Sequence, residues 1–182
     1  MNYNAFLHSK MVLAPQSGFD VEANQISPAL LPHQRDAVRW ACKGGCRALF
    51  ESFGLGKTVQ ELEWCRLVTE DAGGWALIVL PLGVRQEFAR DAITVLGWAT
   101  APRYVRTMAE VNACAEQAVP ADIRIMITNY ERVRDGDIRP EWFIATALDE
   151  ASVLRSFGSK TYQTFLTKFR KVPYRLVSTA TP

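Results

Sequence analysis

Short apolar runs alternate along the chain with longer segments in which apolar residues recur every three or four positions. The runs predict strands, and they comprise CRALFE, WALIVLP, RYVRT, IRIMIT, WFIATALDE and YRLVSTATP. The segments between them predict helices, which comprise KTVQELEWCRLVTED, LGVRQEFARDAITVLG, MAEVNACAEQAV and SKTYQTFLTKFRK. Because alternating strands and helices form βαβ units, the pattern predicts an α/β domain with a mostly parallel sheet and helices on both faces.

Glycine and proline set the predicted ends of these elements. The first helix is expected to end before Gly73, the second at Gly97 and the third before Pro120. The first thirty residues lack the alternation and contain prolines, so an extended arm is expected over 1–30. With 182 residues the chain suits one domain, or at most two small ones, and 31–182 is expected to form one domain.

Composition narrows the class of protein without naming a function. Hydrophobic content of 48% and charged content of 22% are those of an ordinary globular protein. No apolar run is long enough for a membrane helix, and the N-terminus lacks the pattern of a secretion signal. The four cysteines are too scattered for a disulfide framework, so we expect thiols and a reducing cytoplasm. A net charge of +2 neither demands nor excludes nucleic acid.

The stretch ESFGLGKT, which follows the first predicted strand and opens the first predicted helix, is a candidate phosphate-binding loop. The pattern G-x-x-x-x-G-K-[ST] requires a glycine where Glu51 stands. The strand–loop–helix context favours a nucleotide site; the alternative is a helix N-terminus with a surface lysine. Since only the inner glycines, Gly54 and Gly56, must let phosphate approach, we interpret Glu51 as a structural cap on the loop.

The residue types of this loop match the chemistry of a nucleotide. Backbone N–H groups of Gly54, Leu55 and Gly56 are expected to point at phosphate oxygens, assisted by the partial positive charge of the helix N-terminus. Lys57 is expected to supply a charge to the β- and γ-phosphates, and Thr58 a hydroxyl to Mg²⁺. ATP and Mg²⁺ are therefore the predicted cofactors.

An acidic pair, Asp149 and Glu150, follows the fifth predicted strand. Asp149 is expected to hold the metal, directly or through water, and Glu150 to orient and deprotonate the attacking water. Most such pairs are solvated loop charges. An upstream Gly-Lys-Thr in the same alternating fold favours the catalytic interpretation, with Lys57, Asp149 and Glu150 as catalytic residues.

Together, these segments resemble the first RecA-like lobe of superfamily-two helicases and translocases of the DEAD/DEAH-like kind, closest in style to the Swi/Snf-type members. The style is also similar to helicases of phages and mobile elements. The resemblance rests on LLPHQRDAVRW (Q-motif region), FGLGKT (motif I), VLPLGVRQEFARD (motif Ia), ITNYERV (the next DNA-side motif), LDEAS (motif II) and STATP (motif III). It implies a RecA-like P-loop fold. Swi/Snf-type members usually have an acidic residue at the start of the loop, and Glu51 matches that pattern.

The resemblance also implies roles for residues outside the loop. Gln34 is expected to read the adenine edge, and the upstream aromatic Phe19 to stack on adenine; the alternative for Phe19 is an anchor that holds the arm on the core. The motif III residues Ser178, Thr179 and Thr181 are expected to couple hydrolysis to movement.

Two departures from the family pattern concern that coupling. Ser152 stands where a histidine often closes motif II, which puts in question the usual link to motif III, although a hydroxyl still forms hydrogen bonds. Ala180 stands where Swi/Snf-type members often have glycine. The family also needs a second RecA-like lobe, which supplies an arginine finger, and no segment up to Pro182 corresponds to it, so we expect that lobe in a longer protein.

Residues at two strand ends are candidates for nucleic-acid contacts. The turn after WALIVLP offers Gly83, Arg85 and Gln86, and the turn after IRIMIT offers Asn129 and Tyr130. Each alone is more often an exposed polar residue, but their positions match the DNA-side motifs of the family. Contacts would be to phosphate and sugar, hence independent of sequence and weakened by salt.

The sequence therefore predicts the ATP-binding lobe of an ATP-dependent helicase or translocase that acts on nucleic acid, with DNA favoured. Two alternatives remain. One is a P-loop kinase or ATPase that does not act on nucleic acid, and the other is a scaffold module that has kept the fold without hydrolysing nucleotide. The isolated lobe is expected to hydrolyse ATP very slowly, because an arginine finger contributes ~10³–10⁵ in rate.

Overall fold

Six parallel strands form one sheet in a computed structural model that describes residues 15–119, 123–156 and 158–181. The strands of these described residues lie in the order β1-β6-β5-β2-β4-β3. All five neighbouring pairs are parallel. Their bounds are Cys46–Phe50 (β1), Ala76–Leu80 (β2), Arg103–Tyr104 (β3), Ile125–Asn129 (β4), Ala145–Leu148 (β5) and Tyr174–Thr179 (β6).

Helices connect the strands and cover both faces of the sheet. The α-helices are Pro32–Gly44 (α1), Lys57–Ala72 (α2), Arg85–Thr94 (α3), Met108–Glu116 (α4), Tyr130–Asp135 (α5) and Lys160–Phe169 (α6). Short 3₁₀ turns lie at Ala23–Gln25, Leu82–Val84, Pro140–Trp142 and Ala151–Leu154. The predicted α/β class with a parallel sheet is confirmed.

The central strand β2 shows why the sheet needs helices on both sides. All five of its residues are fully buried. Successive side chains point to opposite faces, and Ile78 and Leu80 join a core with α1, α2 and α3, while Leu77 and Val79 join a second core with α4, α5 and α6. The two cores make three layers, with the sheet in the middle.

Three predicted boundaries differ from the observed ones. The helix predicted to end at Gly97 begins with the 3₁₀ turn Leu82–Val84, and α3 ends at Thr94. The helix predicted to stop at Pro120 ends at Glu116, and Pro120 itself lies outside the described residues. The strand RYVRT shrinks to two residues, because β3 is at the edge of the sheet and pairs with β4 alone.

The N-terminal arm predicted over 1–30 is described from residue 15 onwards. Its amides at Ser17, Gly18 and Phe19 donate to the last carbonyls of α1 at 3.1–3.4 Å. A Cβ on Gly18 would lie 1.8 Å from the Cys42 carbonyl oxygen, so only glycine allows this close approach. The arm thus satisfies carbonyls that a helix C-terminus otherwise leaves unpaired.

The parallel arrangement collects the ends of four neighbouring strands at one edge. The loop after β1, the acidic pair after β5, the end of β6 and the turn after β2 all lie at the carboxyl edge, where open α/β sheets bind ligands. The chain therefore brings its distant polar segments together at this edge.

Candidate functional site

The loop between β1 and α2 has a backbone that requires its inner glycines. Gly54 and Gly56 have φ of 82° and 77°, in the left-handed region. A Cβ on Gly56 would also lie 2.3 Å from Gln34 Nε2. Gly56 is the residue that precedes α2, so the predicted strand–loop–helix context of a phosphate-binding loop is present.

Lys57 and Thr58 open α2 at this loop. The Lys57 ammonium donates to the carbonyl oxygens of Glu51 at 3.0 Å and Ser52 at 3.1 Å, which leaves one of its three donors for another acceptor. It also lies 5.4 Å from the centre of the exposed Phe53 ring. Lys57 therefore lies across the loop with its charge unpaired by any carboxylate among the described residues.

Glu51 has the contacts of a loop cap. Its backbone N–H donates to the Thr179 carbonyl oxygen at 3.3 Å, which joins the ends of β1 and β6. Its carboxylate accepts from Gln60 Nε2 at 2.7 Å, and the same Nε2 lies 3.2 Å from the Leu55 carbonyl oxygen. Gln60 of α2 thus contacts the loop near its start, at Glu51, and near its end, at Leu55. These are contacts of the structural kind predicted for Glu51.

The acidic pair lies at the end of β5, facing the loop. Asp149 is buried, and this burial raises its pKa to about 6, against the lowering influence of the Glu150 backbone N–H and the Lys57 charge. Its backbone is fixed by a hydrogen bond to Val79 at 2.9 Å. The hydroxyl of Tyr130 donates to the Asp149 carbonyl oxygen at 2.7 Å. The carboxyl is therefore held on a rigid strand end rather than on a solvated loop.

Glu150 has the sole left-handed backbone of any non-glycine residue in the part of the chain described, with φ of 49°. Such a conformation costs free energy and persists where the surroundings impose it, often at functional sites. The Glu150 Oε1 accepts from the Ser152 hydroxyl and lies 3.3 Å from Thr179 Oγ1. The Glu150 side chain therefore connects the predicted motif II to the predicted motif III. Ser152 contributes a hydrogen bond to the same carboxylate oxygen.

The residues predicted as motif III line up behind the acidic pair. Ser178 is fully buried, donates to Glu61 Oε1 and lies 3.4 Å from Asp149 Oδ1. Thr179 Oγ1 accepts from the Thr181 backbone N–H at 3.2 Å. The end of β6 is therefore in direct contact with both carboxyls, through Ser178 to Asp149 and through Thr179 to Glu150.

A cavity of about 330 Å³ joins these segments. Its lining includes Gly54, Gly56, Lys57, Thr58, Asp149 and Glu150 from the predicted nucleotide site, together with Phe53, Val84 and Glu87. The volume falls in the range of ~300–1,000 Å³ typical of ligand pockets. Six of the predicted site residues therefore share one concave surface, although the first and the last of them are ninety-six positions apart along the chain.

The donor set fits Mg²⁺ bound with a nucleotide better than it fits a protein-only metal cage. Within the described ranges no group of three or more histidine, cysteine or acidic residues is arranged to hold a metal. Mg²⁺ is usually held by one or two carboxylates together with phosphate oxygens and waters. Asp149 and Thr58, which both line the cavity, offer that smaller set.

Of the two residues predicted to contact adenine, one lies beside the loop and one does not. Gln34 Nε2 donates to the Leu55 carbonyl oxygen at 3.0 Å, and Gln34 Oε1 accepts from the Leu31 backbone N–H at 2.8 Å. Phe19 packs edge-on against Tyr174, with ring centres 5.9 Å apart, at the start of β6. The prediction that Phe19 stacks on adenine is corrected: it anchors the arm at the amino edge, opposite the loop.

The residues predicted to contact nucleic acid differ in exposure. Gly83 and Gln86 are exposed at the start of α3 and Arg85 is half-buried, with its guanidinium 4.8 Å from the Tyr104 ring centre. Asn129 is buried; its Oδ1 accepts from the Tyr104 hydroxyl at 2.7 Å. Tyr130 is 3% exposed.

The prediction of a side-chain contact between Tyr130 and nucleic acid is therefore corrected. Its ring lies in the second core, and its hydroxyl is bound to the Asp149 carbonyl oxygen. Burial of the phenol also raises its pKa well above the ordinary value. Tyr130 supports the acidic pair from behind rather than offering a surface.

Sequence reasoning missed Gln60 and Glu61. Both are fully buried in α2, which has ten buried residues among its sixteen. Burial raises the pKa of Glu61 well above the ordinary value, and the nearby charge of Asp149 raises it further. No local signal would have found them, because a glutamine or a glutamate inside a helix is usually exposed to solvent.

Comparisons with known proteins agree with this fold. The SWI2/SNF2 ATPase core of Sulfolobus solfataricus, solved in complex with dsDNA, matches with a TM-score of 0.67 and 21% identity, over 89% of this chain and 34% of that one. The UvsW helicase of bacteriophage T4 matches in two structures with TM-scores of 0.61 and 0.65, at 15% and 16% identity, over 100% of this chain and 61% and 35% of those chains.

These likenesses establish the fold. The chain has a RecA-like α/β fold, like the matched parts of these structures, and it spans about a third of the Sulfolobus chain and at most 61% of a UvsW chain. No protein-family model matches the sequence. A search of curated proteins also found no match. Every helix in the described ranges is too short or too polar to cross a membrane.

Proposed function

We propose that this chain is the nucleotide-binding lobe of an ATP-dependent nucleic-acid helicase or translocase, with DNA as the favoured substrate. The observation that carries the proposal is the shared cavity, in which Lys57 and Thr58 of the loop face Asp149 and Glu150 of the acidic pair. A P-loop kinase or a scaffold module has no need of the Glu150–Thr179 contact that links this pair to the end of β6. The link favours a machine that couples hydrolysis to movement.

Each residue of the cavity has a role in this proposal. The loop amides and Lys57 would bind the phosphates, and Thr58 and Asp149 would hold Mg²⁺, which supplies charge neutralisation at the phosphate oxygens. Ser152 and Thr179 occupy Oε1 of Glu150, so Glu150 Oε2 is the atom that would accept a proton from the attacking water. Gln34 would contact the base after exchanging its hydrogen bond with Leu55.

The nucleic-acid surface of the proposal lies beside this cavity. Gly83, Arg85 and Gln86 stand at the start of α3, next to Val84 and Glu87 of the cavity lining. The buried Asn129 would contribute to this surface indirectly, by stabilising the end of β4. Support comes from the dsDNA present in the Sulfolobus ATPase-core structure, and the movement itself would require a second lobe.

Titration with a fluorescent ATP analogue and Mg²⁺ tests the nucleotide part. We expect saturable binding by the wild type and a loss of about 10–100-fold in affinity for Lys57→Ala, because a hydrogen bond to a charged group contributes about 1.5–3 kcal/mol. The matched control is Lys43→Ala, whose exposed ammonium pairs with Asp20. Equal binding by wild type and Lys57→Ala would contradict the proposal and favour the scaffold alternative.

Fluorescence anisotropy with labelled DNA at low salt tests the nucleic-acid part. Arg85→Ala is expected to weaken binding about fivefold and to reduce its salt dependence, as loss of one phosphate contact does. Arg90→Ala, on the same helix and paired with Asp91, is the control. If the wild type binds nucleotide but neither DNA nor RNA, the kinase or ATPase alternative replaces the translocase.

A further inference from the structure

A single side-chain amide, that of Gln60, contacts the loop between β1 and α2 at two points. Its Nε2 lies 2.7 Å from a carboxylate oxygen of Glu51 and 3.2 Å from the carbonyl oxygen of Leu55. Both of these partners are acceptors, so the amide nitrogen, which carries the two N–H donors, has to face them. Gln60 therefore donates to the start and to the end of the loop with one group.

Packing and stability give little reason for an amide at this position. Gln60 is fully buried, and its Oε1 has no hydrogen-bond partner in the part of the chain that the structure describes. A buried amide with an unpaired oxygen costs free energy relative to an apolar side chain of similar size. The two contacts with the loop are thus what distinguishes Gln60 from an apolar residue in the same place.

The two partners of Gln60 differ in whether they have another donor. The Leu55 carbonyl oxygen also accepts from Gln34 Nε2 at 3.0 Å. Among the described residues, the Glu51 carboxylate accepts from Gln60 alone and forms no ion pair. Removal of the Gln60 amide would therefore leave Leu55 held and the Glu51 carboxylate free.

A free carboxylate at this position would lie beside the charge that a phosphate needs. The Lys57 ammonium is 3.0 Å from the backbone carbonyl oxygen of Glu51, within reach of the carboxylate of the same residue. In the structure Gln60 holds that carboxylate instead, and the described residues that line the cavity include Lys57 and not Glu51. A released carboxylate would attract the ammonium and repel phosphate oxygens, because both interactions are strong at such short distances.

We propose that Gln60 is a positioning residue that holds the Glu51 carboxylate away from Lys57 and so keeps the lysine available to the phosphates of the nucleotide. The inference rests on the proposed nucleotide function and gives a role to a residue that sequence reasoning missed. Gln60 acts through Glu51 and lies outside the lining of the cavity. The loop thus tolerates a glutamate where the G-x-x-x-x-G-K pattern has glycine, because the acidic side chain is turned towards α2.

The test compares Gln60→Met with the wild type in titrations with a fluorescent ADP analogue and Mg²⁺. Methionine is close to glutamine in size and lacks the amide, so the helix keeps its packing. Kd is expected to rise about tenfold, the scale of one lost hydrogen bond to a charged group. Thr69→Val removes a buried hydroxyl from the same helix, one that donates to the Arg66 carbonyl oxygen; it is the matched control and is expected to keep the wild-type Kd.

Removing the charge of Glu51 separates this role from a general structural one. In the Gln60→Met background, Glu51→Gln is expected to bring Kd back to within about threefold of the wild type, because a neutral side chain does not compete for the lysine. In the wild-type background the same change is expected to alter Kd less than about twofold, since the carboxylate there is already held. Circular dichroism confirms that each variant is folded, and Gln60→Leu takes the place of Gln60→Met if the methionine variant does not fold.

Three results would overturn the inference while the nucleotide function stands. The first is an unchanged Kd in Gln60→Met. The second is a loss in Gln60→Met that Glu51→Gln does not recover, which would assign the effect to the shape of the loop. The third is an equal gain from Glu51→Gln in both backgrounds, which would show that Gln60 does not restrain the charge. Absence of nucleotide binding by the wild type would instead remove the proposed function and the inference with it.

Discussion

Two glutamates stand two positions apart on α2, are both fully buried, and have opposite surroundings. Glu63 Oε1 lies 2.7 Å from Arg66 Nη2 and accepts from the Ser27 backbone N–H at 2.6 Å. Glu61 contacts Ser178 and has a second carboxyl, Asp149, as its charged neighbour. At 3.6 residues per turn, two positions place the side chains on nearly opposite faces, one towards the N-terminal arm and one towards the carboxyl edge of the sheet.

The difference separates a carboxyl that is paired with a cation from one that lies behind the candidate site. Glu63 is paired with a cation, and its hydrogen bonds also raise the pKa of Arg66. Arg66 extends the pairing to the Gln25 carbonyl oxygen at 2.6 Å and to Glu70, so the arm is attached to α2 through this network. Glu61 offers no comparable attachment, and its contacts all lie behind the candidate nucleotide cavity.

Replacing each glutamate with leucine tests this difference most strongly, and the larger loss of stability is expected for Glu63. Glu63→Leu is expected to lower the free energy of unfolding by about 3 kcal/mol, because removing one partner of a buried ion pair leaves the other charge uncompensated. This value is at the low end of the usual range, since Arg66 is 22% exposed and keeps Glu70. Urea unfolding followed by circular dichroism measures it, and a change below about 1 kcal/mol would refute the structural assignment of Glu63.

Glu61→Leu is the matched variant with the smaller expected effect on stability. Its free energy of unfolding is expected to change by less than about 1 kcal/mol, with either sign, because exchanging an unpaired buried carboxyl for an apolar side chain of similar size is often neutral or stabilising. The same urea titration without nucleotide measures it. Destabilisation as large as that of Glu63→Leu would show that both glutamates hold the fold and would erase the distinction.

Thiol labelling gives the smallest effect and reports on the surroundings of both glutamates. Cys42 lies beside Glu63, and burial, followed by the Glu63 charge, raises its thiol pKa from 9.0 to about 12. Because the folded pKa is above the ordinary one, the protonated thiol contributes stability that is fully present below pH 9.0 and is lost as the pH rises through about 12. Cys65, beside Glu61, is likewise buried with a raised pKa.

At about pH 8 both of these thiols are expected to stay protonated and unreactive, since the thiolate is the reactive form. Half-exposed Cys46 is then the thiol that an aromatic disulfide reagent labels rapidly in the wild type. Glu63→Leu should add slow phases at the rate of unfolding, while Glu61→Leu should keep the wild-type pattern. Rapid labelling of Cys42 in the folded wild type would be inconsistent with the surroundings assigned to it.

The elements and the glycine loop between β1 and α2 were predictable because their signals are local. A strand, a glycine turn and a helix that opens with Lys57 and Thr58 are specified by neighbouring residues, and the left-handed glycines follow from the backbone of that turn. The Asp149–Glu150 pair was predictable for the same reason, since it directly follows a buried apolar strand. The end of α4 at Glu116, ahead of its proline, and the shortening of β3 depend on packing and edge position, which the pattern does not carry.

Other parts of the site depend on where distant segments meet. Phe19 matched an expected spacing before Gln34, but α1 runs from the loop to the opposite edge of the sheet, and hydrogen bonds to its last carbonyls hold Phe19 at that far end. Tyr130 directly follows β4, and only the packing of α5 on the second core shows that its ring points inward. A position at a strand end predicts proximity to the site; it does not predict which way a side chain points.

The α/β class, the glycine loop before α2 and the position of the acidic pair after β5 follow from the amino-acid sequence, because apolar periodicity and backbone constraints act over a few residues. Tertiary packing sets the strand order that brings β6 between β1 and β5, and with it the contact of Ser178 with Glu61 across 117 positions of the chain. It likewise decided that Glu63 meets a cation while Glu61 meets a carboxyl. Two identical residues on one helix differ because burial and charge are properties of the space around a side chain, and that space is built by segments far away in the sequence.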